Sequence, residues 1–380
     1  MTIDFAVTDA QLLSIAWAKW SFYPPDVLPA WMAEMDVRPC PAVQESVRSA
    51  VDQGMFGYPP LDRETGLGAA TAGFLSGRFG WTVDPARVLM CADIMSGLRL
   101  VLETLCVDAP VVVPAPAYKP FRDVVTLSGR TVIEVACREG ERSVLDLDAI
   151  EAAFAAGART IILCQPYNPL GVVLTKAELT AVRDIVVRHG GRVISDEIHA
   201  PLVLPGARHL PYASLSDTAE HVTTLFSASK AWNIPGLKCA QIIVGNDEDL
   251  ARLRSLPHVA NASTAILGVV ATIAAYTEGE PWLNSAIDYL AAQRDYFAEL
   301  LSSHLPRARW RPMEAGYLAW VDARAYGLAD PSATALELTR VAVSPGSRFG
   351  DSYTGYVRIN LATSRERLTE VVGRLVKAWE

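Results

Sequence analysis

The chain has 380 residues, of which 51% are hydrophobic and 20% are charged. This composition excludes extensive disorder, and the length favours two domains over one. The net charge of −8 and the absence of lysine and arginine runs argue against binding to nucleic acid or to a membrane surface.

The first residues, MTIDFAVTDAQLL, carry acidic side chains and no long apolar segment, which is not the pattern of a signal peptide. The most apolar window, AILGVVATIAAY at 265–276, is too short to span a bilayer and predicts a buried helix. The six cysteines are irregularly spaced, without a CxxC pair or a Cys/His cluster. We therefore expect no metal site, no disulfide framework and a cytoplasmic location.

Between about residues 85 and 245, short apolar runs alternate with helical patterns. Runs rich in Val, Ile and Leu without polar alternation indicate strands that are covered on both faces, as in a parallel sheet. The clearest helix lies between them, because Thr175 suits the N-cap, Glu178 completes a capping box, and Gly190 and Gly191 end it. The pattern predicts an α/β fold, a three-layer sandwich with a mostly parallel central sheet. The apolar runs lie at 87–92, 109–118, 131–136, 159–169, 191–199, 222–230 and 240–245.

The two ends of the chain have a different pattern. A long helix at 282–304 is followed by the strand-like runs GYLAWVDA and YVRINLA and by a final helix, and these strands look antiparallel. We predict a large domain at 51–280 and a smaller α+β domain formed by residues 1–50 and 281–380.

Four of the central runs carry polar or aromatic side chains at their carboxyl ends. In open α/β sheets, ligands bind outside the carboxyl ends of the strands, so these side chains are expected to meet at one edge. A lysine, a carboxylate, an amide and an aromatic ring together suit pyridoxal 5′-phosphate. This cofactor needs a lysine for a Schiff base and a carboxylate that keeps its pyridine nitrogen protonated. The side chains are Tyr118, Asn168, Asp196, His199, Ser227, Ser229 and Lys230.

The phosphate of such a cofactor needs backbone N–H groups at the start of a helix. The segment CADIMSGLRLVLETL predicts a helix that begins after Asp93. The free amides of Ile94 and Met95 would then face the phosphate, while the Asp93 carboxylate caps the helix or turns away.

Several segments occur in an order that resembles a known family. They are LPAWMAEMDVRPCPAV, FGYPP, PAYKPF, PYNPLG, ISDEIHAPL, SASKAWNIPGLK, GYLAWVD and YVRINLA, and they extend over nearly the whole chain. The most specific signal is SDEIH followed by SxSKxxNxxGL. The chain resembles the fold-type I pyridoxal-phosphate enzymes of the aspartate aminotransferase superfamily, and within them the MalY/PatB-like cystathionine β-lyases.

The resemblance implies a role for each residue around the cofactor ring. Lys230 would carry the Schiff base and move the Cα proton, and Asp196 would pair with the pyridine nitrogen. Tyr118 would stack on the ring. Asn168 would lie near the phenolic oxygen, and His199 would contact the same region.

The resemblance also implies contacts to the phosphate and to the substrate. Ser227, Ser229 and Lys238 would hold the phosphate, and Tyr58 would reach the phosphate of a neighbouring subunit, which implies a homodimer with shared sites. Arg358 would bind the α-carboxylate of an amino-acid substrate, and Asn168 and Ala33 would also contact the substrate.

Each of these residues also has an ordinary structural explanation. A lysine such as Lys230 can be a solvated strand end, and a buried histidine such as His199 can simply be hydrogen-bonded. Tyrosines can pack in a core, Lys238 can be a surface residue, and Arg358 can be a cross-strand ion-pair partner. Asp196 is followed by Glu197, which we expect to serve as a helix cap.

The chain departs from the family pattern at a few positions. Gln165, Tyr167 and Leu170 stand where relatives more often have Asn, His and Thr, and Glu34 stands where they more often have Asp. We expect these positions to lie close to the cofactor and the substrate.

The resemblance implies a carbon–sulfur β-lyase that converts cystathionine or another cysteine S-conjugate into a thiol, pyruvate and ammonia. An aminotransferase uses the same lysine, so residue types leave both reactions open. The altered QPYNPL segment also leaves open a pathway-specific lyase that acts on a cysteine S-conjugate in secondary metabolism, and a regulator that binds a transcription factor is a further alternative.

Overall fold

The computed structural model describes residues 7–15, 17–140 and 142–380. The expectations for the first six residues, that they form no signal peptide and belong to the smaller domain, lie outside the described residues. The strands are β1 (Leu28–Pro29), β2 (Val88–Cys91), β3 (Val111–Ala115), β4 (Val132–Ala136), β5 (Thr160–Cys164), β6 (Arg192–Asp196), β7 (Val222–Phe226), β8 (Ala240–Val244), β9 (Arg309–Trp310), β10 (Leu318–Asp322), β11 (Val341–Ala342), β12 (Ser344–Pro345) and β13 (Tyr356–Asn360).

The helices connect these strands and cover the sheets. They are α1 (Asp9–Ile15), α2 (Ala18–Ser21), α3 (Pro41–Asp52), α4 (Leu67–Phe79), α5 (Ile94–Leu105), α6 (Lys119–Leu127), α7 (Leu147–Ala155), α8 (Lys176–Arg188), α9 (Asp247–Arg254), α10 (Ile266–Glu278), α11 (Glu280–His304), α12 (Pro331–Thr339) and α13 (Arg365–Trp379).

The central sheet has seven strands in the order β2-β8-β7-β6-β5-β3-β4. The neighbours from β7 through β4 pair in parallel, whereas β8 runs antiparallel to both β7 and β2. Side chains alternate across the sheet, as strand geometry requires. On β5, Ile162 and Cys164 join a core with α5 and α6, while Ile161 and Leu163 join another with α7 and α8. The predicted three-layer α/β sandwich is confirmed.

A smaller sheet lies toward the carboxyl end of the chain, with the order β12-β13-β10-β9 and antiparallel pairing. Val357 and Ile359 on β13 join a core that includes residues of α11 and α13. Arg358 lies between them on the strand and therefore projects from the opposite face. The segment β1 pairs in parallel with β11, which ties residues near the start of the chain to this part. The boundaries 50/51 and 280/281 stay a prediction.

Helix α8 begins and ends as the sequence predicts. The Thr175 hydroxyl accepts a hydrogen bond from the Glu178 backbone N–H, and the Glu178 carboxylate accepts one from Thr175 N–H at 2.7 Å. Gly190 has φ of +60°, a left-handed conformation that suits glycine after a helix end. The same capping chemistry begins α5, where the Asp93 carboxylate accepts from Ser96 N–H at 2.8 Å.

A close backbone contact at Gly268 fixes α10 against the turn that ends at Leu237. A Cβ atom at Gly268 would lie 1.9 Å from the carbonyl oxygen of Leu237, so the backbone would have to move. We expect Gly268→Ala to lower the free energy of unfolding by about 1–3 kcal/mol. At Gly73, in the middle of α4, a Cβ atom would meet no other atom within 4 Å. Gly73→Ala is the matched control and should raise stability by about 0.5–1 kcal/mol.

Denaturant unfolding followed by circular dichroism measures both changes. If Gly268→Ala were as stable as the unsubstituted protein, Gly268 would not lie as close to the Leu237 carbonyl oxygen as described.

Candidate active site

A cavity of about 880 Å³ opens at the carboxyl edge of the central sheet, facing the smaller sheet. Its walls contain nearly all the residues that the sequence predicts for the site. They are Ala33, Ile94, Met95, Tyr118, Asn168, Asp196, His199, Ser227, Ser229, Lys230, Lys238 and Arg358. Tyr58 is the exception, because it is 95% exposed and lines a different cleft, with Pro59 and His258.

Lys230 lies in the turn that follows β7. Its Nζ donates a hydrogen bond to the carbonyl oxygen of Ala33 at 3.0 Å. Burial lowers the pKa of the Lys230 amine from 10.5 to about 8, and the carboxylate of Glu34 is the strongest of the groups that oppose this shift. A large fraction of this amine is therefore neutral near pH 8, as a nucleophile or base requires.

Asp196 is the last residue of β6 and is buried, with 4% of its surface exposed. One carboxylate oxygen, Oδ1, accepts a hydrogen bond from the Ile198 N–H at 3.1 Å. Burial raises its pKa to about 7, the neighbouring Glu197 adds to the rise, and the Lys230 ammonium opposes it. A cation beside Asp196 would keep this carboxylate ionised.

Glu197 is fully buried and does not cap a helix, so the expectation for it is wrong. Its Oε1 accepts hydrogen bonds from Ser195 Oγ at 2.8 Å, Gln165 Nε2 at 3.1 Å and Tyr212 N–H at 3.1 Å. Its Oε2 lies 2.8 Å from His209 Nε2. This network fixes the backbone that follows Asp196. No local sequence pattern signals it, because its members come from separate segments.

Two of the unusual positions lie behind the cavity. Gln165 belongs to the Glu197 network, and the Tyr167 hydroxyl contacts the Cys137 sulfur at 3.6 Å. Leu170 lines a second cavity, so the expectation that all these positions adjoin the cofactor is wrong. Glu34 does line the main cavity.

The polar groups near the start of α5 suit a phosphate. Ser227 Oγ lies 3.1 Å from Ser229 Oγ, and the first backbone N–H groups of α5 have no partner within the helix. The Lys238 amine forms an ion pair with the Asp93 carboxylate at 2.9 Å. Burial raises the pKa of Asp93, but hydrogen bonds from Ser96 and Lys238 outweigh this and lower it. Asp93 thus caps α5, as predicted.

Arg358 is buried, and its guanidinium group is held from several sides. Nη1 donates to Asn168 Oδ1 at 3.1 Å, and Nη2 donates to the Trp31 carbonyl oxygen at 3.1 Å. The guanidinium carbon lies 4.9 Å from the ring centre of Phe349. Burial lowers the pKa of Arg358 to about 10. Its Nε is buried and has no hydrogen-bond partner among the described residues. The guanidinium group lines the cavity, where it suits a carboxylate.

Tyr118 and His199 lie on the same cavity. Tyr118 is 38% exposed and packs edge-on against Phe121, with ring centres 5.8 Å apart. Burial, together with the nearby cations Lys230 and Arg358, lowers the pKa of His199 to about 3. His199 is therefore neutral at physiological pH, with one ring nitrogen as a donor and the other as an acceptor.

These side chains fit the chemical groups of pyridoxal 5′-phosphate. An amine with a lowered pKa suits the aldehyde carbon, and a buried carboxylate suits a cationic ring nitrogen. Hydroxyls and a helix start suit the phosphate. Within the described ranges, no set of three or more His, Cys, Asp or Glu side chains is placed to hold a metal ion. The same ranges contain no helix with the length and apolar character needed to cross a membrane.

Residues 32–375 match the family model described as aminotransferase class I and II, and the chain belongs to this family. Two curated relatives carry a more particular name. The chain is 37% identical to a cystathionine β-lyase of Corynebacterium glutamicum, over 94% of this chain and 95% of the relative. It is 32% identical to the cystathionine β-lyase PatB of Bacillus subtilis, over 96% of each chain.

A solved structure extends the comparison to the fold. The PLP-bound C–S lyase from Staphylococcus hominis superposes with a TM-score of 0.92 and 25% sequence identity, covering 100% of this chain and 98% of that one. The predicted family and fold type are therefore confirmed.

Proposed function

We propose that this chain is a pyridoxal-phosphate-dependent carbon–sulfur β-lyase. It acts on cystathionine or another cysteine S-conjugate and, with one water molecule, yields a thiol, pyruvate and ammonia. The observation that carries the proposal is the meeting of the Lys230 amine, the Asp196 carboxylate and the Arg358 guanidinium in one cavity. The relatives named as cystathionine β-lyases support the same reaction.

When bound, the cofactor withdraws electrons from the substrate Cα. Arg358 would bind the substrate carboxylate with the part of its guanidinium group that lines the cavity, and Asn168 holds that group in place. The Lys230 amine would hold the cofactor before the substrate binds and would be a free base once the substrate is in place. Its neutral amine then takes the Cα proton, which the pKa of about 8 permits near neutral pH.

Asp196 would stabilise a positive charge on the cofactor ring nitrogen. Burial raises the pKa of Asp196 to about 7, and a cation beside it would lower that pKa, so the carboxylate would stay ionised. Neutral His199 and Asn168 would contact the cofactor near its phenolic oxygen, and Tyr118 would stack on the ring. These contacts would orient the ring relative to the Cα–H bond.

The phosphate of the cofactor would be held mainly by neutral donors. Ser227, Ser229 and the first N–H groups of α5, at Ile94 and Met95, provide them. Lys238 supplies a point charge that Asp93 partly neutralises.

Three further assignments belong to this proposal. The active form is a homodimer, because Tyr58 is 95% exposed in the single chain and would be buried by reaching the phosphate of a second subunit. The large domain is formed by 51–280 and the small domain by 1–50 with 281–380. The enzyme is cytoplasmic, which agrees with six cysteines that are free in the described structure.

Arg358→Lys tests the carboxylate site. We expect kcat/KM to fall by about 10- to 100-fold, because lysine keeps the charge but loses the planar two-pronged geometry. Most of the loss should appear as a higher KM, measured by steady-state kinetics. Arg309→Lys is a matched control, since Arg309 is exposed on β9. An unchanged KM in Arg358→Lys would remove Arg358 from substrate binding.

The reaction itself is tested with purified enzyme and L-cystathionine. We expect pyruvate, ammonia and homocysteine to form in equal amounts without any added keto acid. An aminotransferase would need a keto acid as amino acceptor. If product forms only in the presence of a keto acid, the enzyme is an aminotransferase. Replacing cystathionine with bulkier cysteine S-conjugates identifies a preference for larger substrates.

A further inference from the structure

Residues 31–34, called the strap below, line the cavity, and their carbonyl groups are held by donors from other parts of the chain. The Ala33 carbonyl accepts from Lys230 Nζ at 3.0 Å and from the Tyr317 hydroxyl at 3.1 Å. The Glu34 carbonyl accepts from Asn360 Nδ2 at 2.7 Å and from Lys19 Nζ at 3.2 Å. The strap is therefore fixed relative to Lys230.

The side chain of Glu34 contrasts with this well-bonded backbone. Its Oε2 is buried and has no hydrogen-bond partner in the part of the chain that the structure describes, although Glu34 lines the cavity. An unpaired buried carboxylate oxygen costs free energy, so its retention points to a role in the working enzyme. None of the roles assigned above uses this carboxylate.

Lys230 is the cation that Glu34 affects. Besides Glu34 and the Tyr317 hydroxyl, the charged or titratable groups near Lys230 among the described residues are Asp196, His199 and Arg358. Arg358 is a like charge, His199 is neutral, and Asp196 is engaged by the ring nitrogen in the proposed function. Glu34 is therefore the anion that remains available to a positive charge on Lys230. The Tyr317 hydroxyl, whose pKa burial and Glu34 both raise, stays neutral.

We propose that the Glu34 carboxylate is the counter-ion of the ammonium group that forms when Lys230 takes the Cα proton. In this step the Cα–H bond breaks, its electron pair stays on the substrate, and a new N–H bond makes Lys230 a cation. Burial disfavours that cation, and Glu34 offsets the cost at the moment the charge appears. Glu34 thus acts through Lys230 and not on the substrate.

The inference rests on the proposed function only in requiring that Lys230 move the Cα proton. Removing the charge of Glu34 lowers the pKa of the Lys230 nitrogen further, because one stabilising anion is lost. A weaker base takes the proton more slowly. Glu34→Gln keeps the size of the side chain, and Glu34→Asp keeps the charge on a shorter side chain.

The first test follows exchange of the α-hydrogen of L-alanine with D₂O by proton NMR, using holoenzyme. Alanine has no leaving group, so exchange reports proton transfer by Lys230 whether the enzyme is a lyase or an aminotransferase. We expect Glu34→Gln to slow exchange by about tenfold or more. The exchange rate of Glu34→Asp should lie between those of the unsubstituted enzyme and Glu34→Gln. The control, Glu299→Gln on the exposed face of α11, should exchange at the unsubstituted rate.

The second test is a pH titration of the absorption band of the bound cofactor, which reports the proton on the nitrogen of Lys230. Its midpoint should move to lower pH in Glu34→Gln but not in Glu299→Gln. If the unsubstituted enzyme did not exchange the α-hydrogen of alanine, this result would contradict the proposed function itself. Normal exchange in Glu34→Gln, or slow exchange with an unmoved midpoint, would overturn the counter-ion role alone.

Discussion

Lys230→Ala should lower kcat for the elimination of thiol from cystathionine by at least about 10³-fold, because the variant lacks both the covalent attachment and the base. Alanine also removes the amine that donates to the Ala33 carbonyl at 3.0 Å. The absorption band of the lysine-bound cofactor should disappear in the same variant, leaving the spectrum of noncovalently bound cofactor. Steady-state kinetics and an absorption spectrum measure the two effects.

The matched control is Lys377→Ala, on the exposed side of α13. It should retain the spectrum and the turnover of the unsubstituted enzyme. Should Lys230→Ala keep either the band or substantial turnover, another amine would carry the cofactor.

Asp196→Asn should lower kcat by about 10²–10³-fold while the cofactor stays covalently bound. Asparagine has nearly the same shape as aspartate but carries no charge. The buried position that raises the pKa of Asp196 to about 7 would then offer the ring nitrogen no anion. The ring would withdraw electrons less strongly, so removal of the Cα proton would slow. Measuring kcat beside the absorption spectrum separates this loss from loss of the cofactor.

Asp288→Asn, an exposed position on α11, makes the same chemical change away from the cavity and should leave kcat unchanged. If Asp196→Asn kept the full kcat, the Asp196 carboxylate would not stabilise a positive charge on the cofactor ring nitrogen.

The fold could be predicted because its main signal is local. Unbroken apolar runs identify strands buried on both faces, and strand ends in a parallel sheet lie at one edge. The predicted apolar runs were longer than the strands, since β3 ends at Ala115, before Tyr118, and β5 ends at Cys164, before Asn168. The direction of β8 could not be predicted, because an apolar run has the same pattern in a parallel or an antiparallel pair.

The site could be predicted where a functional side chain lies at the end of a strand or in the turn that follows it. Asp196 and Lys230 are such cases, and both line the cavity. Contacts between distant segments have no local signal. The hydrogen bond from Arg358 to Asn168 joins residues 190 positions apart. Lys238 was expected to meet a phosphate, and its ion pair with Asp93 depends on packing that local patterns do not encode. For the same reason the unpaired oxygen of Glu34 emerged only from the structure.

The central claim is that the amine of Lys230 binds the cofactor. Borohydride reduction of the purified holoenzyme fixes this bond, and peptide mass spectrometry then locates the pyridoxyl group. We expect the group on the peptide that contains SASKAWNIPGLK, at Lys230 and not at Lys238. A label on Lys238 or on any other lysine, or no label in a protein that is loaded with cofactor, would contradict the account.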